Sequence, residues 1–101
     1  ITLDVAHKTT DCDALMLPQP GALTFSINQR LLRGGVAVSE TSVHRAMRLL
    51  VEHLKLVGEP GGVVGLAALL ENALPASDFP TVGVVISGGN VDPDLLRRVL
   101  T

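Results

Sequence analysis

The sequence predicts an α/β fold, and three observations predict it. Thr81–Ile86 is an unbroken apolar run (Thr-Val-Gly-Val-Val-Ile) that does not alternate, the pattern of a strand covered on both faces in a parallel sheet. Val43, Ala46, Met47, Leu50, Leu54 and Val57 recur at intervals of three and four, which is one face of a helix. Strand-like and helix-like stretches also succeed one another along the chain, the order expected of a layered α/β domain.

Each element has its own local reason. Residues 1–20 show little periodicity, and Thr9–Asp13 is rich in side chains that favour turns. Pro18, Pro20 and Gly21 punctuate the chain. Leu23, Ile27 and Leu31 then predict a short helix over 23–32, with Gly34-Gly35 as its C-terminal stop. Val36-Ala37-Val38 reads as a short strand. Ser39 stands where an N-cap belongs, with Glu40 in the first turn of a helix predicted to run to Val57. Gly58-Glu59-Pro60-Gly61-Gly62 breaks the chain. Residues 63–74 are apolar nearly all round, so a helix there is expected to be buried on most sides. Asp92 and Pro93 predict the start of a last helix, with Leu95, Leu96 and Val99 on its apolar side.

Composition excludes several functions. The chain has 101 residues, 47% hydrophobic and 18% charged, enough for one packed core and no second domain. Its formal net charge is -2 and its aromatics are Phe25 and Phe79 alone, so neither a nucleic-acid surface nor a stacking platform is expected. No apolar run is long enough to span a bilayer. Cys12 is the only cysteine, which excludes an internal disulfide and a cysteine zinc cluster, and it reads as a small buried packing residue. A cytoplasmic setting is expected. The chain opens at Ile1 rather than Met, so a portion of a longer protein is expected.

Two stretches carry candidate chemistry. Ser87-Gly88-Gly89-Asn90 lies at the carboxyl end of the predicted strand, where ligands sit in open parallel sheets; it reads as a ligand loop or as a plain strand-to-helix turn. It is not a phosphate loop of the nucleotide-hydrolase type, since the Lys-Ser/Thr ending is missing. Glu59 reads as a helix-entry residue or as a buried acid in a cleft. His44 and His53, nine positions apart, read as solvated surface histidines; His7, near Asp4 and Asp11, lacks zinc-type spacing. Lys8 and Lys55 lack the apolar surroundings that would depress a lysine pKa.

Four stretches in order, Thr10-Asp-Cys-Asp-Ala-Leu15, Pro20-Gly-Ala-Leu-Thr-Phe25, Leu54-Lys-Leu-Val-Gly-Glu-Pro-Gly-Gly62 and Val84-Val-Ile-Ser-Gly-Gly-Asn-Val-Asp92, resemble the carboxyl-terminal third of the threonine/serine dehydratases and of serine racemase. These are fold-type II pyridoxal-phosphate enzymes. The resemblance implies a three-layer parallel-sheet domain like that of tryptophan synthase β, with residues 1–101 as the carboxyl-terminal portion of its large domain. It implies a lyase of amino-acid metabolism, an ammonia-lyase that converts a β-hydroxy amino acid to a 2-oxo acid and ammonia. The cofactor would be pyridoxal 5'-phosphate, and the parent a homodimer.

By the same resemblance Ser87 meets the pyridine nitrogen, Gly88 and Gly89 let the backbone lie close to the ring, and Asn90 and Glu59 orient the serine. Asp13 is an acid near the cofactor's edge, and Ala14 stands where many relatives carry Gly. The family's Schiff-base lysine, glycine-rich phosphate loop and divalent-cation ligands have no counterpart here, so no catalytic and no metal-binding residue is expected in these 101 residues. Serine racemase, hydroxyaspartate dehydratase and, from another class, a non-catalytic α/β ligand-binding module are the alternatives.

Overall fold

A computed structural model describes residues 9–101. Four α-helices and several short turns make up its regular structure: α1 (Ala22–Leu31), α2 (Glu40–Leu49), α3 (Val64–Leu70) and α4 (Pro93–Leu100). His7, Asp4 and Lys8 lie outside the described residues.

The core forms where α2 meets α3 and α4. Val43, Ala46, Met47 and Leu50 from the α2 stripe pack with Val63, Ala67, Leu95 and Val99, and Cys12 joins them from the N-terminal loop. Ser39 caps α2 by accepting from the Ser42 amide, as its position predicted. The Ser39 hydroxyl and amide also donate to the Glu71 carboxylate, which ties the start of α2 to the end of α3. Those hydrogen bonds hold the Glu71 carboxyl below its ordinary 4.5. Asp92 caps α4 twice, accepting from Asp94 and Leu95, with Pro93 at the first helical position. Arg48 on α2 donates from Nε to the Val99 carbonyl at 3.0 Å, so the open end of α4 is closed by a cation.

The second helix departs from its predicted course. Beyond Leu49 the chain makes a π turn over Leu50–Leu54, then Lys55 takes the left-handed conformation (φ 57, ψ 34). A wider turn absorbs an extra residue and rotates the stripe. Leu54 and Val57, predicted to continue the buried face, are therefore 58% and 49% exposed. The helix predicted over 63–74 is shorter, ending at Leu70 with left-handed Asn72 close behind. It is also half covered rather than buried all round: Ala67 and Ala68 are buried, while Leu66, Leu69 and Leu70 are intermediate.

The sheet does not appear. No strand is present among the described residues, and neither Val36–Val38 nor Thr81–Ile86 finds a ladder partner there. A strand exists only through the hydrogen bonds of a neighbour, and these two runs do not pair with each other. Val85 is 80% exposed, and Leu23 and Leu31 on α1 are 74% and 76% exposed. The α1 stripe is thus present but uncovered. The molecule is a slab, with extents of 40 × 38 × 19 Å. Gly34-Gly35 is not the α1 stop either. Leu32, in extended conformation, ends the helix, and neither glycine has a positive φ.

The packing sets expectations for stability and reactivity. Met47 is fully buried, so Met47→Ala should cost about 2–5 kcal/mol in urea unfolding. Because the folded Glu71 carboxyl is held below 4.5, its stabilisation is complete above that pH and is lost as pH falls through the lower folded value. Urea midpoints should therefore decline below pH 4.5, and Glu71→Gln should flatten that decline. Burial pushes the Cys12 thiol above its ordinary 9.0, and the carboxylates of Glu40, Asp11 and Asp13 add to this against an opposing Thr10 hydrogen bond. Alkylation at pH 8 should run roughly tenfold slower folded than in urea; equal rates would show the thiol to be open.

Candidate functional site

Three sequence stretches that lie far apart meet at the Glu59–Gly62 turn. The first is the 3-10 turn Asp13–Leu15, the second is Gly58–Gly62 with its 3-10 turn Pro60–Gly62, and the third is Ser87–Asn90. Pro60 starts its turn naturally, having no amide to satisfy. The left-handed Lys55 redirects the chain out of the π turn toward this point.

The contacts between the second and third stretches are mostly main chain. The Glu59 amide donates to the Gly88 carbonyl at 2.9 Å, and the Ser87 amide donates to the Gly62 carbonyl at 3.3 Å. The Glu59 carboxylate accepts from the Asn90 amide at 3.0 Å through Oε2. The glycines are there for space. A Cβ at Gly88 would stand 2.6 Å from Glu59 Oε1, and one at Gly89 would stand 2.6 Å from the Val57 carbonyl oxygen. No glycine in the described residues has a positive φ, so close approach and not backbone conformation is what these positions require.

The residues expected at the site are placed as follows. Ser87 is exposed, and its hydroxyl makes no hydrogen bond among the described residues. Glu59 is half-buried and grips the main chain of the Ser87–Asn90 loop rather than the serine hydroxyl. Asn90 takes part through its amide. Asp13 is exposed and accepts from the Ala14 amide of its own turn at 2.8 Å. Ala14 lies across from Gly61, at 3.6 Å from where a Cβ there would stand, so the Asp13–Leu15 turn closes the third side.

One polar cluster escaped the sequence reading. His44 Nε2 lies 2.8 Å from Asp11 Oδ2, and the ligand atoms of Asp11, Glu40 and His44 all lie within 4.8 Å of one another. His44 is therefore not the simple solvated histidine expected; His53 is exposed as expected. Thr10 and the Asp11 amide donate to Glu40, and Arg98 approaches Asp11 at 4.0 Å. The cluster fastens the N-terminal loop to α2 and α4. Its one legible signal was the four-residue spacing of Glu40 and His44, which sets both on one helix face.

A cavity of about 510 Å³ lies away from Glu59, lined by Arg33, Val36, Leu74, Phe79 and Val82 among others. It separates the two stretches predicted as strands, and its lining is mostly apolar, with Thr81 and with Arg33, which sits 5.2 Å over the Phe79 ring. That is the character of a gap between uncovered apolar runs.

Known proteins resemble this chain over most of its length. The family model for pyridoxal-phosphate dependent enzymes matches residues 2–88. An L-threonine ammonia-lyase of Thermotoga maritima is 38% identical over 96 residues, covering 95% of this chain and 23% of that protein. A serine racemase of Dictyostelium discoideum is 36% identical over 86 residues, covering 84% of this chain and 26% of that protein. A solved threonine deaminase from T.th. superposes with a TM-score of 0.79 at 35% identity, covering 91% of this chain and 30% of that one. The chain thus spans about a quarter of the length of these curated relatives. With a family model that matches most of its length, the chain belongs to the pyridoxal-phosphate dependent enzymes.

Proposed function

We propose that this chain forms the pyridine-nitrogen side of the cofactor site in a threonine/serine dehydratase. The whole enzyme would deaminate a β-hydroxy amino acid by β-elimination, giving a 2-oxo acid and ammonia. One observation carries the reading: Ser87 presents an exposed hydroxyl, unpaired among the described residues, on a loop whose main chain is pinned by Gly62 and Glu59. The likeness to an L-threonine ammonia-lyase supports the reaction class.

The donor set fits pyridoxal phosphate on this side. A neutral hydroxyl without a partner among the described residues suits a ring nitrogen, with which it can exchange one hydrogen bond. When bound, the cofactor supplies the electron sink for the carbanion that elimination requires. Ser87 would meet that nitrogen without forcing a proton onto it, as a carboxylate in its place would. The Glu59 carboxylate accepts from the Asn90 amide and lies against Gly88, and would so hold Ser87 in place. Gly88 and Gly89 would present bare backbone toward the ring. Asp13 and Ala14 would border the same site from their turn.

The remaining parts would come from elsewhere in the whole enzyme. The lysines of the sequence are Lys8 and Lys55. Lys55 is exposed and donates to the Glu52 carbonyl, which is no setting for an activated amine. The Schiff-base lysine, the phosphate-binding loop and any divalent-cation ligands are therefore assigned to other segments. The α1 face and the 81–86 run would be covered there by the parallel sheet. A homodimeric, cytoplasmic enzyme is the proposed whole. The serine racemase likeness at 36% identity leaves the same wall equally suited to racemisation, which shares the need for an electron sink at the α-carbon.

The test has two arms. In the full-length enzyme, Ser87→Ala should lower kcat/KM by roughly tenfold or more, about 1.4 kcal/mol of lost transition-state stabilisation. It should also alter the absorption of the bound cofactor. The 101-residue chain on its own should release no 2-oxo acid from threonine or serine. Full activity in Ser87→Ala, or turnover by the isolated chain, would remove the proposal.

A further inference from the structure

We infer that Gly62 is a positioning residue for the Ser87 hydroxyl, acting through the backbone of the Ser87–Asn90 loop and not by touching the cofactor. The inference rests on the reading of Ser87 as the group that meets the ring nitrogen. It starts from the contrast between two adjacent glycines. A Cβ at Gly61 would meet the side chains of Leu15 and Ala14 at 3.4 and 3.6 Å, which is ordinary contact. A Cβ at Gly62 would meet the Gly88 carbonyl oxygen at 2.6 Å and the Gly88 amide nitrogen at 2.8 Å.

Both of those atoms are backbone, so no rotamer can relieve the clash. Gly62 is itself buried and is followed by fully buried Val63 at the entry to α3. It has little room to retreat, and the Ser87–Asn90 segment is exposed or half-exposed throughout. The loop must give way. The atom it would move first is the Gly88 carbonyl oxygen, which accepts from the Glu59 amide at 2.9 Å. The Gly62 carbonyl also receives the Ser87 amide at 3.3 Å. One added methyl thus disturbs both main-chain bonds that seat Ser87, while leaving the Ser87 side chain chemically intact.

The experiment compares Gly62→Ala with Gly61→Ala in the full-length, cofactor-loaded enzyme. Misplacing a reacting partner by about 1 Å can cost on the order of 100-fold in rate. Gly62→Ala should therefore lower kcat/KM by about 10- to 100-fold and shift the absorption of the bound cofactor in the same direction as Ser87→Ala. Gly61→Ala should change neither by more than about twofold. A merely structural role for Gly62 would lower the melting temperature and leave the spectrum unmoved, and that result overturns the inference. If Ser87→Ala itself leaves the spectrum and the rate unchanged, the reading of Ser87 fails, and the role of Gly62 falls with it. Should Gly62→Ala not fold, amide exchange in the unmodified enzyme decides. A protected Ser87 amide is expected, and exchange at the rate of an unstructured peptide overturns the inference.

Discussion

The junction between Glu59 and the Ser87–Asn90 loop is the contact on which the rest depends. It is built almost entirely from backbone groups, with the Glu59 carboxylate as its one side-chain member among the described residues. Such close approach is possible only where no Cβ intervenes: Gly62 and Gly89 lie against backbone, and Gly88 against the Glu59 carboxylate. Gly58 follows the same logic one step back: a Cβ there would lie 2.4 Å from Val63 Cγ1 and 2.9 Å from Leu50 Cδ1. The helical core is joined to the site through that glycine. Leu50 begins the π turn, Val63 precedes α3, and the loop between them carries Glu59.

This arrangement separates two tasks that a single acidic residue would otherwise combine. The Glu59 carboxylate is a strong acceptor, yet it is taken up by the loop's own Asn90 amide. The group left facing outward is a neutral hydroxyl. For a ring nitrogen whose protonation decides how strongly the ring withdraws electrons, that choice matters chemically. A carboxylate in direct contact would favour the protonated ring. In the proposed site the Glu59 carboxylate would hold the loop that carries Ser87 and leave the hydroxyl to meet the nitrogen.

Much of this was legible in the sequence because it is local. The Ser39 cap, the Asp92–Pro93 helix start and the Val43–Leu50 stripe each depend on neighbours a few residues away. The Glu59 and Ser87 stretches were legible as candidates, though their partnership came only through likeness to a family. Nothing in the spacing of two distant loops declares a main-chain hydrogen bond. The π turn was not legible, since Leu54 and Val57 fit an uninterrupted helix equally well by period. The strands were read from composition, but a ladder needs partners, and the described residues supply none. The Asp11–His44 pair was missed because it spans a loop and a helix with no shared periodicity.

The uncovered faces of α1 and of residues 81–86 belong to the same account. They are apolar in the pattern of buried elements and exposed in this chain, which spans about a quarter of its relatives. The most direct measurement of the central claim is a crystal structure of the full-length enzyme loaded with pyridoxal phosphate. The account requires Ser87 Oγ within about 2.6–3.2 Å of the pyridine nitrogen, with Glu59 still holding the Asn90 amide. A ring nitrogen met by a carboxylate, or lying beyond reach of Ser87, would contradict it.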